Sequence, residues 1–567
     1  MNYGTIYKNF ERIAKQYSAR TALASLDSGV YQGLTYGELL NQVRALGAAM
    51  QESGIAKGDR VAFLLDNGPD WVTIDLACAA IGAVDVPIHT TYRSAYLSYI
   101  VKHTEAKWLF LSQRYYPNHQ EAIKSLELEK VVVVGVAGGF IDLKTAGQLT
   151  SVSVFEDDVH TIIYTSGTTG LPKGVMLSHR NLLANVQNAK EYIDVSSQDS
   201  FLSFLPLSHA LERTAGCYVP LLSGASIYYA QSKETIKEDI LKARPTIIIS
   251  VPRIFEKTYD AVWDVVRSSS KLKQRLFYWA LDWGSSRRQG ELRFWQRPIY
   301  GVLDFLVLKK IRAKLGGRLR FAVSGGSALS TRIIQFFWDI GLFILEGYGL
   351  TETSPVVSEN TLAKCKFGSV GLLLKNFEIK IAADKEILLR GSSVMRGYWR
   401  DQEATKQAID QEGWLRTGDL GELSEDGFLT ITGRKKELLV LSTGRNVAPA
   451  PLEQALETNR FISQAMVFGD NQKHISALIV PDFEELKLWA QKNNLEYALS
   501  AILQRDDVAK LYRKEITEAL DHFPEYEQVR HFILLAEPFS QENDLLTPTL
   551  KLKRLKILEK YQKMIYD

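Results

Sequence analysis

Short runs rich in β-branched residues alternate with helical periods along the first two-thirds of the chain. The strand-like runs contain or end in glycine, serine or proline and occupy residues 131–136, 160–166, 246–252, 319–326 and 342–349. Helical periodicity follows two of them, at residues 181–193 and 331–340. Near-continuous apolar strands alternating with helices are typical of parallel sheets covered on both faces. The pattern predicts an α/β fold whose ligands bind beyond the carboxyl ends of the strands.

The longest apolar stretch, residues 71–88, is interrupted by Asp75 and Asp85. We expect it to form a buried helix that runs into a strand, rather than a membrane span. The start of the chain lacks an apolar run followed by a small-residue cleavage site, so no secretory signal is expected. These features predict a soluble protein of the cytoplasm.

From about residue 433 the pattern changes to a mixture of short strands and helices. Strand-like runs occur at residues 435–442, 465–470 and 474–482, and helical patterns at residues 451–457, 483–492 and 508–522. This mixture is typical of a small α+β domain. We therefore predict a large N-terminal domain over residues 1–432 and a small C-terminal domain over residues 433–567.

Composition narrows the class of protein. A chain of 567 residues with 46% hydrophobic and 23% charged residues is long enough for several packed units and is not disordered. The net charge of +3 argues against a general nucleic-acid surface. Three widely spaced cysteines exclude a disulfide framework and a cysteine-rich zinc module.

The small net charge hides a strongly basic segment, residues 267–320. It holds 14 basic and three acidic residues, a local net charge of +11, whereas the rest of the chain has 54 basic and 62 acidic residues. Aromatic residues such as Trp279, Trp295 and Phe305 lie among these basic ones. Two interpretations stay open. In the first, the segment is a helical insertion whose aromatic side chains pack on the main body. In the second, it contacts the anionic surface on the inner face of a membrane.

The strongest local motif is YTSGTTGLPKG at residues 164–174, which follows a strand-like run. Its glycine and hydroxyl-bearing residues allow backbone N–H groups to form an anion nest, and Lys173 adds a positive charge. Pro172 replaces a Walker A glycine, so the segment is not that motif. The residues predicted to bind phosphate are Thr165, Ser166, Gly167, Thr168, Thr169, Gly170 and Lys173. An ordinary turn is the alternative.

Two further segments place polar residues next to glycines. In EGYGLTET, residues 346–353, Tyr348 can stack on a base and Glu352 can hold Mg²⁺ through oxygen. In GWLRTGDLG, residues 413–421, Asp419 is suited to accept both ribose hydroxyls, and Arg434 further along can donate to the same sugar. Each segment taken alone has a structural turn as its alternative.

Taken in order, these segments resemble the AMP-forming acyl-CoA synthetases of the adenylate-forming superfamily. The shared motifs are YTSGTTGLPKGVMLSH, GYGLTE, GWLRTGDLG and GRKKELLVLSTGRNVAP, and the resemblance runs nearly end to end. LPLSHALER at residues 205–213 and LTPTLKLKR at residues 546–554 are similar to the long-chain fatty acid branch. The resemblance implies a large N-terminal domain, a mobile C-terminal domain and an active site between them.

The resemblance also implies two half-reactions. A fatty carboxylate attacks the α-phosphate of MgATP to give acyl-AMP and pyrophosphate, and the thiol of coenzyme A then displaces AMP. ATP, Mg²⁺ and coenzyme A are the expected co-substrates and cofactor. Glu352 is the expected Mg²⁺ ligand, with Thr351 near the α-phosphate. The expected adenine and ribose contacts are Gly325, Gly326, Tyr348, Gly349, Asp419 and Arg434.

The remaining implied roles concern the mobile domain and the acyl pocket. Lys551 is expected to reach the reacting groups during adenylation, although Lys553 is close by. The expected hinge and coenzyme A residues are Gly433, Lys436 and Gly444. His209 is expected to position the carboxylate end of the acyl pocket, with a satisfied structural histidine as the alternative. The position that matches a relative's gating tryptophan lies near Arg213, so we expect Arg213 at the acyl pocket and the gate to be absent or different.

The sequence also bears on three competing functions. No serine has glycine at both −2 and +2, which argues against an α/β-hydrolase elbow. The nearest alternative is the same adenylation chemistry with acyl carrier protein as thiol acceptor, because a basic segment also suits an acidic partner. A non-catalytic nucleotide- or lipid-binding relative is the third interpretation of the sequence. The intact candidates argue against it; they are Lys173, Glu352, Asp419 and Lys551.

Overall fold

The structure is a computed structural model that describes residues 3–135, 143, 148–165, 171–232, 234–540, 542–546 and 552–566. It divides into two compact units. The first comprises Met1–Lys380, Leu388–Arg416 and Ser424–Leu429, and the second comprises Ile381–Ile387, Thr417–Leu423 and Thr430–Asp567. The boundary expected between residues 432 and 433 stays a prediction.

The first unit contains a nine-stranded sheet. Across the sheet its strands are Leu372–Leu373, Val356–Glu359, Ile344–Gly349, Phe321–Ser324, Ile247–Ser250, Ser200–Ser203, Ser226–Tyr229, Thr21–Asp27 and Val30–Thr35. The six strands from Ile344–Gly349 to Thr21–Asp27 pair in parallel. The strands at both edges pair antiparallel. The predicted parallel arrangement is therefore confirmed for the middle of the sheet.

A seven-stranded sheet lies in the same unit. Its strands in order are Gly397–Tyr398, Lys173–Ser178, Val159–Thr165, Val84–Pro87, Arg60–Leu64, Trp108–Ser112 and Lys130–Val134. Five of them pair in parallel, and Lys173–Ser178 and Gly397–Tyr398 extend the sheet antiparallel. This antiparallel edge was not predicted, and it carries two residues of the candidate site.

Helices pack between and around these sheets. In the first unit they are Ile6–Gln16, Tyr36–Glu52, Pro69–Ile81, Ser94–Thr104, Tyr116–Lys124, His179–Ile193, Val219–Leu221, Ile236–Ala243, Pro252–Arg267, Lys271–Arg288, Gln296–Leu303, Lys309–Ala313, Thr331–Asp339 and Gln402–Ala408. The π-helical turns are Glu212–Tyr218 and Asp304–Leu308, and a 3₁₀ turn covers Thr351–Thr353. The largest core joins the inner faces of several of these helices to residues of both sheets.

Local sequence explains where two of the helices begin and end. Pro69 starts one helix at a position that needs no N–H donor, and Gly82 ends it in the left-handed conformation. The following strand Val84–Pro87 confirms the predicted passage from buried helix to strand. Helix His179–Ile193 starts two residues before the predicted 181 because Ser178 and Asn181 form a reciprocal capping pair.

The second unit has its own core, built on the three-stranded sheet Ile462–Phe468, Ile475–Pro481 and Val529–Leu534. Its helices are Pro449–Glu457, Phe483–Lys492, Leu499–Ile502, Asp506–Ala519 and Arg554–Tyr566, with 3₁₀ turns at Lys435–Glu437 and Glu525–Glu527. Strands Leu439–Val440 and Asn446–Val447 form a hairpin. Four further strands, Phe377–Ile381, Glu386–Gly391, Leu415–Leu423 and Leu429–Arg434, form a sheet in chain order, and the division into units assigns residues of these strands to both units. The predicted small α+β character is confirmed.

The basic segment 267–320 is helical, as one interpretation required. Some of its aromatic side chains, including Phe277 and Tyr300, are buried in a core shared with helix Thr331–Asp339. Others, including Trp279 and Phe305, are exposed. Among the helices of the described residues, none is both long and apolar enough to cross a bilayer.

Candidate active site

The stem of the glycine-rich segment is an antiparallel ladder in which Thr165 lies opposite Lys173. Residues Ser166, Gly167, Thr168, Thr169 and Gly170, predicted to bind phosphate, lie outside the described residues. The two ends of the segment are nevertheless held together by the strands Val159–Thr165 and Lys173–Ser178.

The side chain of Lys173 is half exposed and lies near two residues that follow the strand pair. Its Nζ is 5.1 Å from the ring centroid of Tyr398 and 4.0 Å from Oδ2 of Asp401. Strand Gly397–Tyr398 brings these residues there, because Tyr398 pairs with Val175. The Lys173 ammonium therefore contacts the ring of Tyr398 and, more distantly, the carboxylate of Asp401, and part of the side chain stays exposed to solvent.

Tyr398 also joins Lys173 to Glu352. Its hydroxyl donates a hydrogen bond of 2.9 Å to Oε1 of Glu352, and the N–H of Met395 donates to the Glu352 carbonyl oxygen at 2.8 Å. Burial, and then the charge of Glu352, raises the pKa of Tyr398, so this hydroxyl keeps its proton and acts as a donor. Sequence analysis missed Tyr398, since nothing in its local pattern shows that it faces a residue 46 positions earlier.

Glu352 itself lies in the 3₁₀ turn Thr351–Thr353, immediately after strand Ile344–Gly349. Gly349 ends this strand where only glycine fits, because a Cβ there would lie 1.8 Å from the carbonyl oxygen of Pro355. The turn therefore fixes the direction in which Thr351 and Glu352 leave the sheet. Tyr348, one residue before Gly349, is partly buried and pairs with Ser358 on the next strand.

The predicted glycine pair lies at the same end of the sheet as Tyr348. Strand Phe321–Ser324 runs parallel to Ile344–Gly349, with Ser324 opposite Glu346, and Gly325 and Gly326 follow directly. Gly326 is exposed and adopts φ +86°, a conformation that favours glycine. Since carboxyl ends of parallel strands meet at one edge, the structure brings the glycine pair and Tyr348 together.

A buried carboxyl beneath this edge was not predicted. Glu346 is 7% exposed, and burial raises its pKa to about 7 even though the Leu329 N–H, donating to its Oε1, opposes the shift. The glutamate precedes the GYG motif in sequence, so its position could have been read as a strand residue facing the core. Sequence analysis did not single it out.

In the second unit, Asp419 and Arg434 lie next to each other. Nε of Arg434 donates to Oδ1 of Asp419 at 2.6 Å, and the Asp419 side chain is 5% exposed whereas that of Arg434 is 37% exposed. They come from strands Leu415–Leu423 and Leu429–Arg434. The two residues that sequence analysis assigned to one sugar are therefore neighbours in the fold.

The predicted hinge and coenzyme A residues follow in the same unit. Gly433 packs closely, because a Cβ there would lie 2.7 Å from Cβ of Ala448. Lys436 is exposed in the 3₁₀ turn Lys435–Glu437, and Gly444 takes φ +79° in the turn that joins two short strands. Lys551 lies outside the described residues. The ammonium of nearby Lys553 is bound to Asp544, which also binds Lys556.

His209 packs against the ring of a buried histidine, His89. Its ring centroid is 4.3 Å from that of His89, and Nδ1 of His89 is 2.7 Å from the Ser208 hydroxyl oxygen. Burial, followed by the neighbouring His209, lowers the pKa of His89 well below its ordinary value, so His89 is neutral. His209 is half-buried. Its ring lies beside that of His89, which is itself held by Ser208, the residue before His209.

Arg213, expected at the acyl pocket, instead lies in a buried ion cluster. Its guanidinium binds the carboxylates of Asp75 and Asp85, and Nη1 donates to the Thr161 hydroxyl at 2.6 Å. None of its side chain is exposed, so it lines no open surface in this structure. Two acidic residues that interrupt an apolar stretch require a buried cation, and Arg213 provides it.

The same cluster contains the residue types of a metal site, but a buried arginine already occupies its carboxylates. Asp75, Asp85 and His160 present ligand atoms within 4.8 Å of one another. Arg213 already binds both carboxylates, and a divalent cation would lie beside its positive charge. Burial raises the pKa of Asp85 against the pull of Arg213, whereas Arg213 and His160 hold the pKa of Asp75 low despite burial. We infer no metal here.

Glu212 is a second buried carboxyl beside these residues. It is 1% exposed in the π-helical turn Glu212–Tyr218, and its carboxyl group lies over Gly216, where a Cβ would be 2.5 Å from Oε1. Burial raises the pKa of Glu212 to about 8, and a hydrogen bond with Ser203 opposes the shift. No hydrogen-bond donor among the described residues reaches its Oε2. Sequence analysis did not single out this residue.

Comparison with known proteins covers almost the whole chain. The profile of the AMP-binding enzyme family matches residues 10–399, and that of the AMP-binding enzyme C-terminal domain matches residues 436–567. The long-chain-fatty-acid–CoA ligase FadD15 of Mycobacterium bovis is 36% identical over 94% of this chain and 92% of its own. The peroxisomal long chain acyl-CoA synthetase 7 of Arabidopsis thaliana is 32% identical over 97% of this chain and 84% of its own.

Solved structures support the fold. The crystal structure of the anthranilate CoA ligase AuaEII in complex with anthranoyl-AMP is similar with a TM-score of 0.77 over 98% of this chain and 97% of that one. The sequence identity there is 21%, so this likeness speaks for the fold alone. The family profiles, which cover both the N-terminal and the C-terminal regions, carry the assignment. The resemblance inferred from the motifs is thus confirmed, and the chain belongs to the AMP-binding enzyme family.

Proposed function

We propose that this protein is a long-chain fatty acid–CoA ligase that works through an acyl-adenylate. The observation that carries the proposal is the placement of Lys173 and Glu352 on either side of Tyr398, next to the stem of the glycine-rich segment. A phosphate-binding cation and a metal-binding carboxylate in fixed relation suit a nucleoside triphosphate. Relatives named as long-chain acyl-CoA ligases, at 30–36% identity, favour the fatty acid and coenzyme A.

In the first step a carboxylate oxygen of the fatty acid bonds to the α-phosphorus of ATP. The bond from that phosphorus to the bridging oxygen breaks, and pyrophosphate leaves. Such a displacement needs in-line positioning and charge neutralisation rather than a protein nucleophile. Lys173 supports it by binding the β- and γ-phosphates, while Thr351 binds near the α-phosphate. In the second step the thiolate of coenzyme A attacks the acyl carbon and AMP leaves, with the thiol proton passing to solvent.

The residues present fit a magnesium ion at Glu352. Mg²⁺ commonly binds one or two protein carboxylates and completes its shell with water and substrate phosphates. Oε1 of Glu352 accepts the Tyr398 hydroxyl, and the side chain is partly exposed, which leaves oxygen lone pairs for a cation. The ion would supply charge neutralisation at the phosphates. Tyr398 acts as a positioning residue for the carboxylate.

The nucleoside contacts are proposed on two sets of residues. Tyr348 stacks on adenine, and Gly325, Gly326 and Gly349 leave room for its close approach. Asp419 accepts hydrogen bonds from the ribose hydroxyls, and Arg434, already bound to Asp419 at 2.6 Å, donates to the same sugar. Asp419 is buried and its carboxylate is bound to Arg434, so the carboxylate has little freedom to rotate. Its oxygen atoms are therefore held in a fixed position to accept hydrogen bonds.

Lys551 is proposed as the lysine that assists adenylation. Lys553, the competing candidate, is bound to Asp544 in its own unit and is thereby less available. Gly433 is proposed as the hinge, and Lys436 and Gly444 as contacts for coenzyme A during the second step. His209 is proposed to position the fatty carboxylate, and the ring of His89, tilted against it at 4.3 Å, supports its orientation. Arg213 is proposed as a structural residue behind this segment.

The acceptor is tested with purified protein, MgATP and fatty acids of graded length. Coenzyme A and phosphopantetheinylated acyl carrier protein are supplied in separate reactions, and pyrophosphate, AMP and thioester are followed together. We expect acyl-CoA, AMP and pyrophosphate in equal amounts, with a maximum for a long-chain acid. Thioester on the carrier protein alone would reassign the acceptor. Binding of ATP without pyrophosphate release, for every acid, would point to a non-catalytic relative and reject the proposal.

Peripheral contact with a membrane is a separate proposal. It depends on the basic segment 267–320 and not on the residues above.

A further inference from the structure

The helices around the basic segment expose many large apolar side chains. Of 21 such side chains exposed in the described part of the chain, ten lie between residues 265 and 306. They are Val265, Leu272, Tyr278, Trp279, Phe294, Trp295, Ile299, Val302, Phe305 and Leu306. Single exposed apolar residues are ordinary, but a concentration of them marks an interaction surface.

Helix Gln296–Leu303 and the following turn Asp304–Leu308 are apolar on two opposite faces. The inner face places Tyr300, Leu303 and Leu308 in the core. The outer face carries Ile299, Val302, Phe305 and Leu306, and Phe294 and Trp295 lie just before the helix. These six residues, here called the outer stripe, are 46–81% exposed. A helix with large apolar side chains on two opposite faces normally has both faces covered. The outer stripe therefore lacks the layer that its composition calls for.

Basic side chains border the outer stripe. Arg293, Arg297, Lys309 and Lys310 are exposed, and no carboxylate of the described residues lies within 4.0 Å of their charged nitrogens. Nζ of Lys309 lies 4.8 Å from the Phe305 ring centroid, which places positive charge beside the apolar surface. Basic groups around aromatic and aliphatic side chains are the combination that binds an interface of anionic lipid.

The neighbouring helix Lys271–Arg288 presents the same combination. Leu272, Arg275 and Trp279 share one face at helical spacing, and the Arg275 guanidinium lies 5.4 Å from the Trp279 ring centroid. The opposite face is fixed closely to the body, since a Cβ on Gly284 would lie 2.1 Å from the Asp339 carbonyl oxygen. The exposed aromatic residues are thus carried by a rigid support.

We propose that the outer stripe docks on the surface of an anionic lipid bilayer, with its apolar side chains at the acyl boundary and its basic border at the headgroups. A second copy of the chain is disfavoured, because a two-fold contact would bring basic borders together. The reason for docking rests on the proposed function, because long-chain acids dissolve in bilayers and docking would bring the enzyme to its substrate. The exposed surface itself does not depend on that function.

The test is flotation of the purified full chain with two kinds of vesicle. One kind is phosphatidylcholine alone, and the other is an equal mixture of phosphatidylcholine and phosphatidylglycerol. We expect binding to the mixed vesicles at low salt, much weaker binding to phosphatidylcholine, and a loss of binding at high salt as the charges are screened. Because flotation needs neither ATP nor catalysis, it can succeed or fail independently of the ligase proposal.

A matched pair of variants locates the contact. Phe305 is 61% exposed with Lys309 Nζ at 4.8 Å, and Phe155 is 63% exposed with Lys57 Nζ at 4.8 Å. We expect Phe305→Ser to reduce the vesicle partition coefficient by about ten-fold, and Phe155→Ser to leave it unchanged. Adding Phe294→Ser should reduce it further. All three should keep wild-type pyrophosphate release with octanoate, which shows that they are folded.

Several results would overturn the inference. One is the absence of flotation with either kind of vesicle at low salt, and another is equal loss with Phe155→Ser and Phe305→Ser. Light scattering that shows a dimer, dissociated by Phe305→Ser, would assign the stripe to self-association. Retention on immobilised acyl carrier protein, abolished by Phe305→Ser in a protein that does not bind vesicles, would assign it to an acidic protein partner.

Discussion

The hydroxyl of Tyr398 donates a 2.9 Å hydrogen bond to Oε1 of Glu352, and the ring of the same tyrosine lies 5.1 Å from Nζ of Lys173. The Tyr398 side chain thus contacts both Glu352, the proposed metal ligand, and Lys173, which is proposed to bind phosphate. Strand Gly397–Tyr398 holds it on the antiparallel edge of the seven-stranded sheet. The candidate site therefore depends on pairing between segments more than 200 residues apart in sequence.

Tyr398→Phe should lower kcat/KM for MgATP by about 10- to 100-fold, because a hydrogen bond to a charged group is lost while the ring remains. In a Glu352→Gln background the same change should add little, since the charged acceptor is already absent. Steady-state pyrophosphate release measures both. Tyr192→Phe is the control, as it removes a 2.7 Å hydrogen bond to the Leu373 carbonyl oxygen elsewhere in the unit. Equal losses for the two tyrosines would contradict the role of Tyr398.

Lys551→Ala should reduce adenylation by about 10²- to 10³-fold, as expected for the loss of one charge-stabilising donor. Thioester formation from supplied acyl-AMP should be affected much less. Lys553→Ala is the control, because its ammonium is bound to Asp544. Single-turnover assays of the two half-reactions separate the effects. A larger adenylation defect in Lys553→Ala, or equal defects in both half-reactions of Lys551→Ala, would reject the assignment.

Arg213→Met should lower the free energy of unfolding by about 3–5 kcal/mol, because it leaves Asp75 and Asp85 buried without their cation. Arg180→Met is the matched control. Arg180 pairs with Asp157 at 2.8 Å but is 30% exposed, so its loss should cost less than about 1 kcal/mol. Urea denaturation measures both variants. A loss for Arg213→Met no larger than that for Arg180→Met would show that the cluster is not structural.

Glu212 should make the protein less stable as pH rises. Burial raises the pKa of Glu212 from 4.5 to about 8, so between these values the folded state holds a proton that the unfolded state has lost. The free energy of unfolding then falls as pH increases through this range. Glu212→Gln removes this contribution and should flatten the dependence, while exposed Glu425→Gln should not.

Glu346 and Glu359 contribute in the same direction, because burial raises their pKa values to about 7 and about 8. The slope of Glu212→Gln should therefore be reduced and not abolished. Urea midpoints at pH 5.5 and 8.5, on either side of most of the change, measure the effect. A slope identical to that of the wild type would show that Glu212 is ionised in the folded protein.

The sequence was informative where structure is local. Runs such as 246–252 and 342–349 became strands because β-branched residues and following glycines set them within a few positions. The residues at their ends, including Tyr348 and Gly325, could be predicted as a group, since parallel strands end at one edge. Asp419 and Arg434 were likewise placed on one sugar from their motifs alone and lie 2.6 Å apart.

Contacts between distant segments could not be predicted in this way. Arg213 meets Asp75 and Asp85 across 138 and 128 residues, and no local spacing encodes that meeting. The two aspartates inside the apolar stretch 71–88 were read only as evidence against a membrane span, and the buried cation that they need was not predicted. Tyr398 was missed for the same reason, because its importance comes from the strand beside which Gly397–Tyr398 pairs.

The central claim, that a carboxylate is activated as an acyl-adenylate, is tested most directly by isotope transfer. The protein is incubated with MgATP, coenzyme A and palmitate labelled with ¹⁸O at both carboxylate oxygens, and the products are separated for mass spectrometry. Attack of the carboxylate on the α-phosphorus predicts one ¹⁸O in the phosphate of AMP and none in pyrophosphate. Formation of ADP with ¹⁸O in orthophosphate would show attack on the γ-phosphorus instead and would contradict the account.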